Sequence, residues 1–296
     1  MNKRLIKDKL ASRLMFMLTV FMIALIFAIV IGLYMKSRPI LVTKAPHELL
    51  FGTKWRPLKG EFGFLPFIMG TFWVTGVSIA IAVPLCLLSA IYLSEYAHKR
   101  VRAFSLPLID LLAGIPSIIY GMWGVIVIVP LTRDVIAPFF RVFSSGYSVL
   151  TAGIVLAIMI VPVIIHVSIE VFRTVPVELR EASLSLGATK WQTIKHVVIR
   201  KALPGIIAAV VLGLSRAFGE TMAVLMIAGN VARIPSSLFD AAYPLPALIA
   251  NNYGEMLSVP LYDSALLLAS LILMAIVLVF TIASRLILIK IERRIQ

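Results

Sequence analysis

Residues 175–205 read VPVELREASLSLGATKWQTIKHVVIRKALPG, a polar and basic stretch inside a chain that otherwise consists largely of long apolar runs. Six cations stand in or beside it: Arg173, Arg180, Lys190, Lys195, Arg200 and Lys201. In membrane proteins, loops rich in Lys and Arg tend to stay on the cytoplasmic side. The stretch is therefore predicted to be a cytoplasmic loop between two membrane spans.

The composition of the chain excludes an ordinary soluble domain. Hydrophobic residues make up 60% of the 296 residues, and the mean hydropathy is +1.01,. The net charge of +14 does not point to nucleic acid, because the basic residues stand at the ends of apolar runs, where membrane orientation and anionic lipid headgroups explain them better,. With Cys86 as the single cysteine and four scattered histidines, we expect no intrachain disulfide, metal or cofactor,.

Long apolar intervals with few or no charges predict six transmembrane helices, and thus an all-α polytopic fold. Each interval offers the roughly 20 residues that a bilayer-spanning helix needs. The predicted spans are 14–35, 64–94, 106–131, 147–172, 202–228 and 264–285. The first is predicted to be an uncleaved helix, because its apolar run is too long for a signal peptide and no small-x-small site follows it.

The distribution of Lys and Arg predicts that both termini are cytoplasmic. Predicted cytoplasmic segments carry 18 of these residues and predicted external segments carry nine,. The loop at 36–61 is an exception with six cations, which could guide anions, receive an acidic partner surface or contact lipid headgroups,. We divide the chain into residues 1–62, an N-terminal helix with an external loop, and a core at 63–296 that contains the cytoplasmic loop 173–201.

Within that loop, residues 176–190 are predicted to form a short helix along the membrane surface. Pro176 suits the first turn of a helix, and Gly187 can end one,. The acids Glu178 and Glu181 favour the positive end of the helix dipole,. The small residues Ala182 and Ser183 would allow a partner to approach closely. On the residues alone, a solvated connector between two spans is an equally good interpretation.

Two charges stand inside the predicted fifth span. Arg216 and Glu220 are four residues apart, so that on a continuous helix they share one face,. A charge at the bilayer centre costs at least about 2.5–3.5 kcal/mol, which predicts that this face borders the bundle interior or a water-filled path. A structural ion pair that locks helices together is one interpretation; an anion path in which the arginine fork binds phosphate-like oxygens is the other.

Gly and Pro residues interrupt the predicted third span between 113 and 121. A kink there would free backbone groups and offer the hydroxyls of Ser117 and Tyr120 to a solute, although a plain packing kink is the more frequent explanation in membrane helices. In the second span, Thr71 could line the same path or hydrogen-bond its own helix. Asp110 is expected to pair with a neighbouring arginine such as Arg102.

The sequence of the predicted cytoplasmic loop resembles a loop of ABC importer permeases. The sequence LREASLSLGATKWQTIKHVV (179–198), with Glu181-Ala182-Ser183 and a glycine six residues after the glutamate, resembles the EAA loop through which ABC importer permeases contact their ATPase. One departure is Ile199-Arg200, where such loops commonly continue with Leu-Pro. The chain has no G-x-x-x-x-G-K-[ST] sequence, so that ATP must be bound by another polypeptide,.

Further motifs resemble the phosphate-specific permeases of the PstC type. They are SRAFGETMAVLMIAGN (215–230) with the following Ile234-Pro235 and Phe239-Asp240, LPFIMGTFWVTGVSIAIAVPLCLLSAIYLSEYA (65–97) and LAGIPSIIYGMWG (112–124). The resemblance implies a type I ABC importer permease with the MetI-like fold, in a prokaryotic inner membrane, that moves phosphate. It implies three protein partners: a related permease of the PstA type, an ATPase dimer of the PstB type and an external phosphate-binding protein of the PstS type.

The resemblance also assigns candidate roles to two sets of residues. The candidate substrate path comprises Arg216, Glu220, Thr221, Ser117, Tyr120 and Thr71. The candidate ATPase-coupling surface comprises Glu178, Glu181, Ala182, Ser183, Gly187 and Ala188.

Other functions remain open at this point. The same architecture could carry molybdate, sulfate or another small solute. A secondary transporter or channel without an ATPase is disfavoured by the EAA-like loop. An intramembrane enzyme is disfavoured because the sequence has no H-E-x-x-H, no G-x-S-x-G and no pair of carboxylates at helix spacing inside one span,.

Overall fold

The computed structural model describes residues 3–255 and 258–295, with side chains for 7–255 and 258–290, and most of this part of the chain is helical. Six helical stretches in the described part are long and apolar enough to cross a membrane: Lys7–Thr43, Leu65–Tyr96, Ser117–Phe139, Val149–Arg173, Lys190–Gly219 and Tyr262–Lys290. The prediction of six membrane helices is therefore confirmed.

The membrane helices are built from shorter elements. The helices are α1 (Lys3–Thr43), α2 (Pro46–Phe51), α3 (Leu65–Ile91), α4 (Lys99–Gly114), α5 (Ser117–Trp123), α6 (Val129–Leu131), α7 (Ala137–Phe139), α8 (Val149–Arg173), α9 (Val177–Ser185), α10 (Lys190–Thr193), α11 (Ile199–Gly219), α12 (Met222–Ile227), α13 (Leu245–Asn252) and α14 (Tyr262–Ile295). Wider π-helical segments continue α3 and join α5 to α6, α6 to α7 and α10 to α11: Tyr92–Tyr96, Gly124–Ile128, Thr132–Ile136 and Ile194–Val198.

The centre of the bundle is α8, which packs against α3 on one side and α11 on the other. Glycines allow the backbones to come close together. A Cβ atom at Gly153 of α8 would lie 2.4 Å from a methyl carbon of Val77 in α3, and one at Gly213 of α11 would lie 2.6 Å from the Ile164 side chain of α8. Such small-residue contacts are typical of membrane bundles, where dispersion rather than the hydrophobic effect holds helices together.

A second apolar core forms at the end of the bundle that carries a short β-hairpin, which we call the hairpin end. Strands β1 (Trp55–Arg56) and β2 (Glu61–Phe62) pair antiparallel there. The Trp55 ring packs against three phenylalanines, with ring centroids 5.0–5.5 Å apart: Phe62, Phe64 and Phe67. These rings fasten the hairpin to α3, while α1 reaches the rest of the chain mainly through α14.

Two of the predicted spans are interrupted, and their predicted bounds were wrong. In the third, α4 ends at Gly114, Ile115 is extended and α5 begins after Pro116, so that the span is Ser117–Phe139 instead of 106–131. Proline has no N–H and disfavours helical geometry in the residue before it, which explains this break. In the fifth, α11 ends at Gly219 and Glu220 is extended with φ −71° and ψ 128°, so that 202–228 is not one helix.

Candidate functional site

The breaks in the third and fifth spans are brought together by the packing of α5 against α12. A Cβ atom at Gly121 of α5 would lie 3.0 Å from Cα of Ala223 in α12 and 2.8 Å from Sδ of Met226. Ser117 and Glu220 each lie about one turn from this contact. The two helix breaks, which sequence places about a hundred residues apart, therefore border one region inside the membrane. Interrupted spans of this kind leave backbone groups free to meet a solute.

Arg216 lies in the last turn of α11, and its side chain is exposed on the surface of the isolated chain. A cation is favoured there, because the carbonyl end of a helix carries partial negative charge. Because a lipid-facing charge at this depth is costly, Arg216 requires a polar neighbour outside the chain, such as a partner subunit or water.

Glu220 occupies the break itself and is half-buried. Its Oε1 accepts a hydrogen bond from the backbone N–H of Ala223 at 3.2 Å, which caps the start of α12. The same side chain borders a small pocket together with Thr71, Thr75 and Pro244. The ion pairs in the described part of the chain do not include Arg216 with Glu220. The expectation that both share one helix face was wrong, because the helix ends between them.

The candidate hydroxyls are all engaged with backbone groups, with the exception of Ser117, which lies half-buried in the first turn of α5. Thr71 Oγ1 donates to the Phe67 carbonyl at 2.8 Å and accepts from the N–H of Leu245 at 2.9 Å. Tyr120 donates to the Leu112 carbonyl at 2.8 Å, across the break, and Thr221 donates to the Gly219 carbonyl at 3.2 Å. Thr71 thus holds the start of α13 against α3, and Tyr120 bridges α4 and α5.

Asp110 does not pair with Arg102, so that prediction was wrong. Its Oδ1 lies 2.7 Å from Nε2 of His166 on α8. The Arg102 guanidinium instead donates to the carbonyls of Leu93 and Ser94 at 2.9 and 2.8 Å. Arg102, about two turns nearer the start of α4 than Asp110, satisfies carbonyls in the π-helical segment that ends α3, which leaves Asp110 facing α8,.

The predicted surface helix is α9, which follows Pro176 and ends at Ser185; the predicted range 176–190 was too long. Gly187, with φ +83°, makes the turn that separates α9 from α10. Glu178, Glu181 and Ala182 are exposed on α9, whereas Ala188 is half-buried. Ser183 points the other way: its hydroxyl lies 2.9 Å from that of Thr193 and ties α9 to α10.

The residue that fixes α9 to the bundle is Arg180, which the sequence did not single out for this role. Its guanidinium donates to Glu95 Oε1 at 2.9 Å and to the Phe172 carbonyl at 2.8 Å, and it also reaches the Val175 carbonyl. The side chains of Arg180 and Glu95 are only 19% and 11% exposed. No local pattern connects two residues that stand 85 positions apart in the chain.

A second contact joins the same two regions. The Lys190 ammonium at the start of α10 lies 4.5 Å from the centre of the Tyr96 ring, a cation–π geometry,. Glu95 and Tyr96 both belong to the π-helical end of α3. This short segment therefore supports both helices of the 177–193 loop.

Comparison with known proteins places this geometry in a family. Residues 82–295 match the family described as "Binding-protein-dependent transport system inner membrane component", which is well over half of the chain. The chain belongs to this family. It is thus a multi-pass inner-membrane component of a binding-protein-dependent ABC transporter, with the transmembrane helices of a permease subunit.

Several curated relatives match about four fifths or more of this family member. "Phosphate transport system permease protein PstC" of Xylella fastidiosa is 39% identical over 261 residues, covering 83% of this chain and 80% of the relative. The PstC of Haemophilus influenzae is 36% identical, and the match covers 94% of this chain and 91% of the relative. "Probable ABC transporter permease protein YqgH" of Bacillus subtilis is 39% identical, and the match covers 81% of this chain and 79% of the relative.

Solved structures support the fold of the permease. A subunit in the crystal structure of a bacterial alginate ABC transporter superposes with a TM-score of 0.66 at 16% identity, covering 95% of this chain and 94% of that one. A chain of the inward-facing MetNI methionine transporter superposes with a TM-score of 0.56 at 20% identity, covering 84% and 99%. The predicted MetI-like permease fold is therefore confirmed.

Proposed function

We propose that this permease subunit imports inorganic phosphate. The observation that supports the cargo most strongly is that relatives 33–39% identical over more than four fifths of this chain carry the name PstC, in bacteria and in an archaeon. The site is compatible with that cargo, because an exposed arginine and an acidic residue stand at the break of a membrane helix.

The proposed complex has four kinds of component. This chain pairs with a related permease of the PstA type, an ATPase dimer of the PstB type binds α9 and α10 from the cytoplasm, and a phosphate-loaded protein of the PstS type docks outside. Both termini are cytoplasmic in this proposal, as the excess of Lys and Arg in the loops at the α9 end supports,. ATP is hydrolysed by the partner and not by this chain.

In the proposed transport cycle, the exposed face of α9 carries the coupling. Glu178, Glu181 and Ala182 enter a cleft of the ATPase, while Gly187 and Ala188 set the turn behind them. ATP-driven closure of the ATPase opens the path outward, phosphate leaves the binding protein, and hydrolysis resets the permease. The break region around Arg216 and Glu220 lines the path, with Thr221, Ser117, Tyr120 and Thr71 around it.

Arg216 and Glu220 have complementary roles in this proposal. The guanidinium offers a planar, permanently charged fork to the phosphate oxygens. Phosphate at neutral pH still carries at least one proton, which can donate a hydrogen bond to the Glu220 carboxylate, whereas sulfate carries none and is repelled by it. Arg216 attracts the anion, and Glu220 discriminates against aprotic oxyanions.

The test of the proposed function is labelled phosphate uptake and ATP hydrolysis in vesicles that contain the chain and its partners. Wild type should take up phosphate only with the binding protein present, and Arg216→Gln should lose uptake while the complex still assembles. Arg285→Gln, which removes an exposed arginine on α14, is the matched control and should transport normally. Uptake that survives Arg216→Gln would make Arg216 structural; a wild type that carries molybdate or sulfate but not phosphate would overturn the cargo.

The selectivity role of Glu220 has a separate test. Glu220→Gln keeps the shape and the Oε1 acceptor for the Ala223 N–H but removes the negative charge. We expect sulfate and molybdate to compete with phosphate uptake more effectively in this variant than in wild type. Unchanged competition would assign Glu220 to capping α12 alone.

A further inference from the structure

An apolar groove on the membrane surface of the chain lies between α1–α2, α3 and α14. Its volume is about 450 Å³, and every residue that lines it is apolar. Residues of α14 form one wall at spacings of three and four, as a single helix face requires: Leu268, Leu271, Ile272, Ala275, Ile276 and Val279,.

We propose that this groove binds one acyl chain of a phospholipid from the membrane leaflet at the hairpin end. From Leu268 to Val279 the wall rises about 16 Å along α14 at 1.5 Å per residue. The hydrocarbon core of a bilayer is about 30 Å thick, so that one leaflet contributes about 15 Å. The groove begins at the hairpin end, where Leu49 of α2 lines it, and runs the depth of that leaflet.

The lining of the groove determines the chemistry of its occupant. Because every side chain that lines the groove is apolar, the occupant has to be apolar along the whole length of the groove, as an acyl chain is,.

The mouth of the groove carries the charge that a phospholipid headgroup needs. Leu41 of α1 lines the groove, and the exposed cations Lys36 and Arg38 stand within about a turn and a half of it,. Cationic side chains at this level can extend their charge to the lipid phosphate while their stems remain on apolar surface. Lipid binding thus accounts for part of the excess of cations in the loop at 36–61.

The floor of the groove connects it to the fifth span. Phe72 of α3 and Phe280 of α14 line its lower part. Both rings pack on Phe218, with centroids 6.0 and 5.0 Å away. Phe218 stands two residues after Arg216, so that an acyl chain resting on this floor also supports the end of α11.

Photolabelling tests the proposal with the full chain in lipid nanodiscs. The probe is phosphatidylglycerol with a photoreactive group in its acyl chain, and labelled peptides are located by mass spectrometry. Label should concentrate on the 268–279 face of α14. Ala275→Trp, which fills the groove from its wall, should lower that yield to the level found on the rest of α14, because the acyl chain loses its packing contacts with the groove.

Control variants make the result decisive. Ala283→Trp adds the same side chain at an exposed position of α14 outside the groove and should leave the labelling unchanged. Ala275→Leu is a milder filling variant in case Ala275→Trp assembles poorly, and it should lower the yield in the same direction. The proposal would be overturned if the label spread evenly around α14, or if neither Ala275 variant lowered the yield. It would also be overturned if a partner subunit protected the groove from lipid in the assembled complex.

Discussion

Replacing Arg180 with methionine should release α9 from the bundle. The change keeps a long apolar stem but removes the charge and every hydrogen bond to Glu95 and to the carbonyls of Phe172 and Val175. Because the side chains of the pair are 19% and 11% exposed, Glu95 is left as a poorly solvated charge. Removing one partner of a buried ion pair costs about 3–5 kcal/mol, and the residual exposure places this pair near the lower value, about 3 kcal/mol.

The chain provides a matched control at the end of α8. Arg173 binds Glu170 at 2.6 Å, but the side chains of this pair are 42% and 67% exposed. Exposed pairs contribute about 0–1 kcal/mol, so that Arg173→Met should cost about 2–3 kcal/mol less than Arg180→Met. At 1.36 kcal/mol per factor of ten, local opening of α9 should be about 30- to 150-fold more frequent in Arg180→Met.

Hydrogen exchange of the amides in 177–185 measures that opening, and the ratio of phosphate imported to ATP hydrolysed measures its consequence. We expect faster exchange and a lower transport ratio in Arg180→Met, with both near wild type in Arg173→Met. The double variant Glu95→Gln/Arg180→Met removes the stranded charge and should regain much of the protection. Equal exchange in the two single variants would refute the reasoning that the buried pair fixes α9.

Three further outcomes follow from local geometry. Gly121→Val should cost about 1–3 kcal/mol, because its Cβ would approach the α12 backbone at Ala223 to 3.0 Å,; thermal unfolding of the purified chain measures it. Gly187→Ala meets no atom within 4 Å but must adopt φ +83°, so that a purely conformational cost of about 1–2 kcal/mol should appear as faster exchange in α9. Hydrogen bonds from Ser236, above all, and from Ser237 lower the pKa of Asp240. The stability that these bonds give the 236–240 loop should therefore be present above the usual aspartate pKa and be lost as the pH falls through the lowered pKa. In Asp240→Asn, the amides of this loop should exchange faster at neutral pH and show no such transition.

The sequence predicted those features that depend on local composition. Six long apolar intervals were enough for six spans, because a helix satisfies the backbone groups of a single apolar segment in lipid within the segment itself. The interruption at Pro116 follows from a proline without an N–H. The turn at Gly187 follows from the one residue type that adopts a positive φ without strain,.

The sequence could not predict features that depend on distant partners. The helix break at Glu220 contains no proline, and its geometry is completed by the cap to Ala223 and by the pocket with Thr71. The same reason explains the failed pairing of Asp110, since His166 approaches it from another helix. A four-residue spacing predicts a shared face only while the helix continues, which is why the Arg216 and Glu220 prediction was wrong.

The continuity of the fifth span gives the coupling proposal its mechanical basis. Helical structure runs without interruption from Lys190, beside the loop turn, to Gly219, a length of about 44 Å at 1.5 Å per residue,. One end contacts Tyr96 through Lys190, and the other carries Arg216. In the coupling proposal, a displacement of α9 and α10 by an ATPase is therefore passed to the helix break along a single element. Within this helical stretch, the π-helical segment 194–198 and Pro204 are the positions where the helix can bend,. Stiffening either position should therefore change how much of the displacement reaches Arg216.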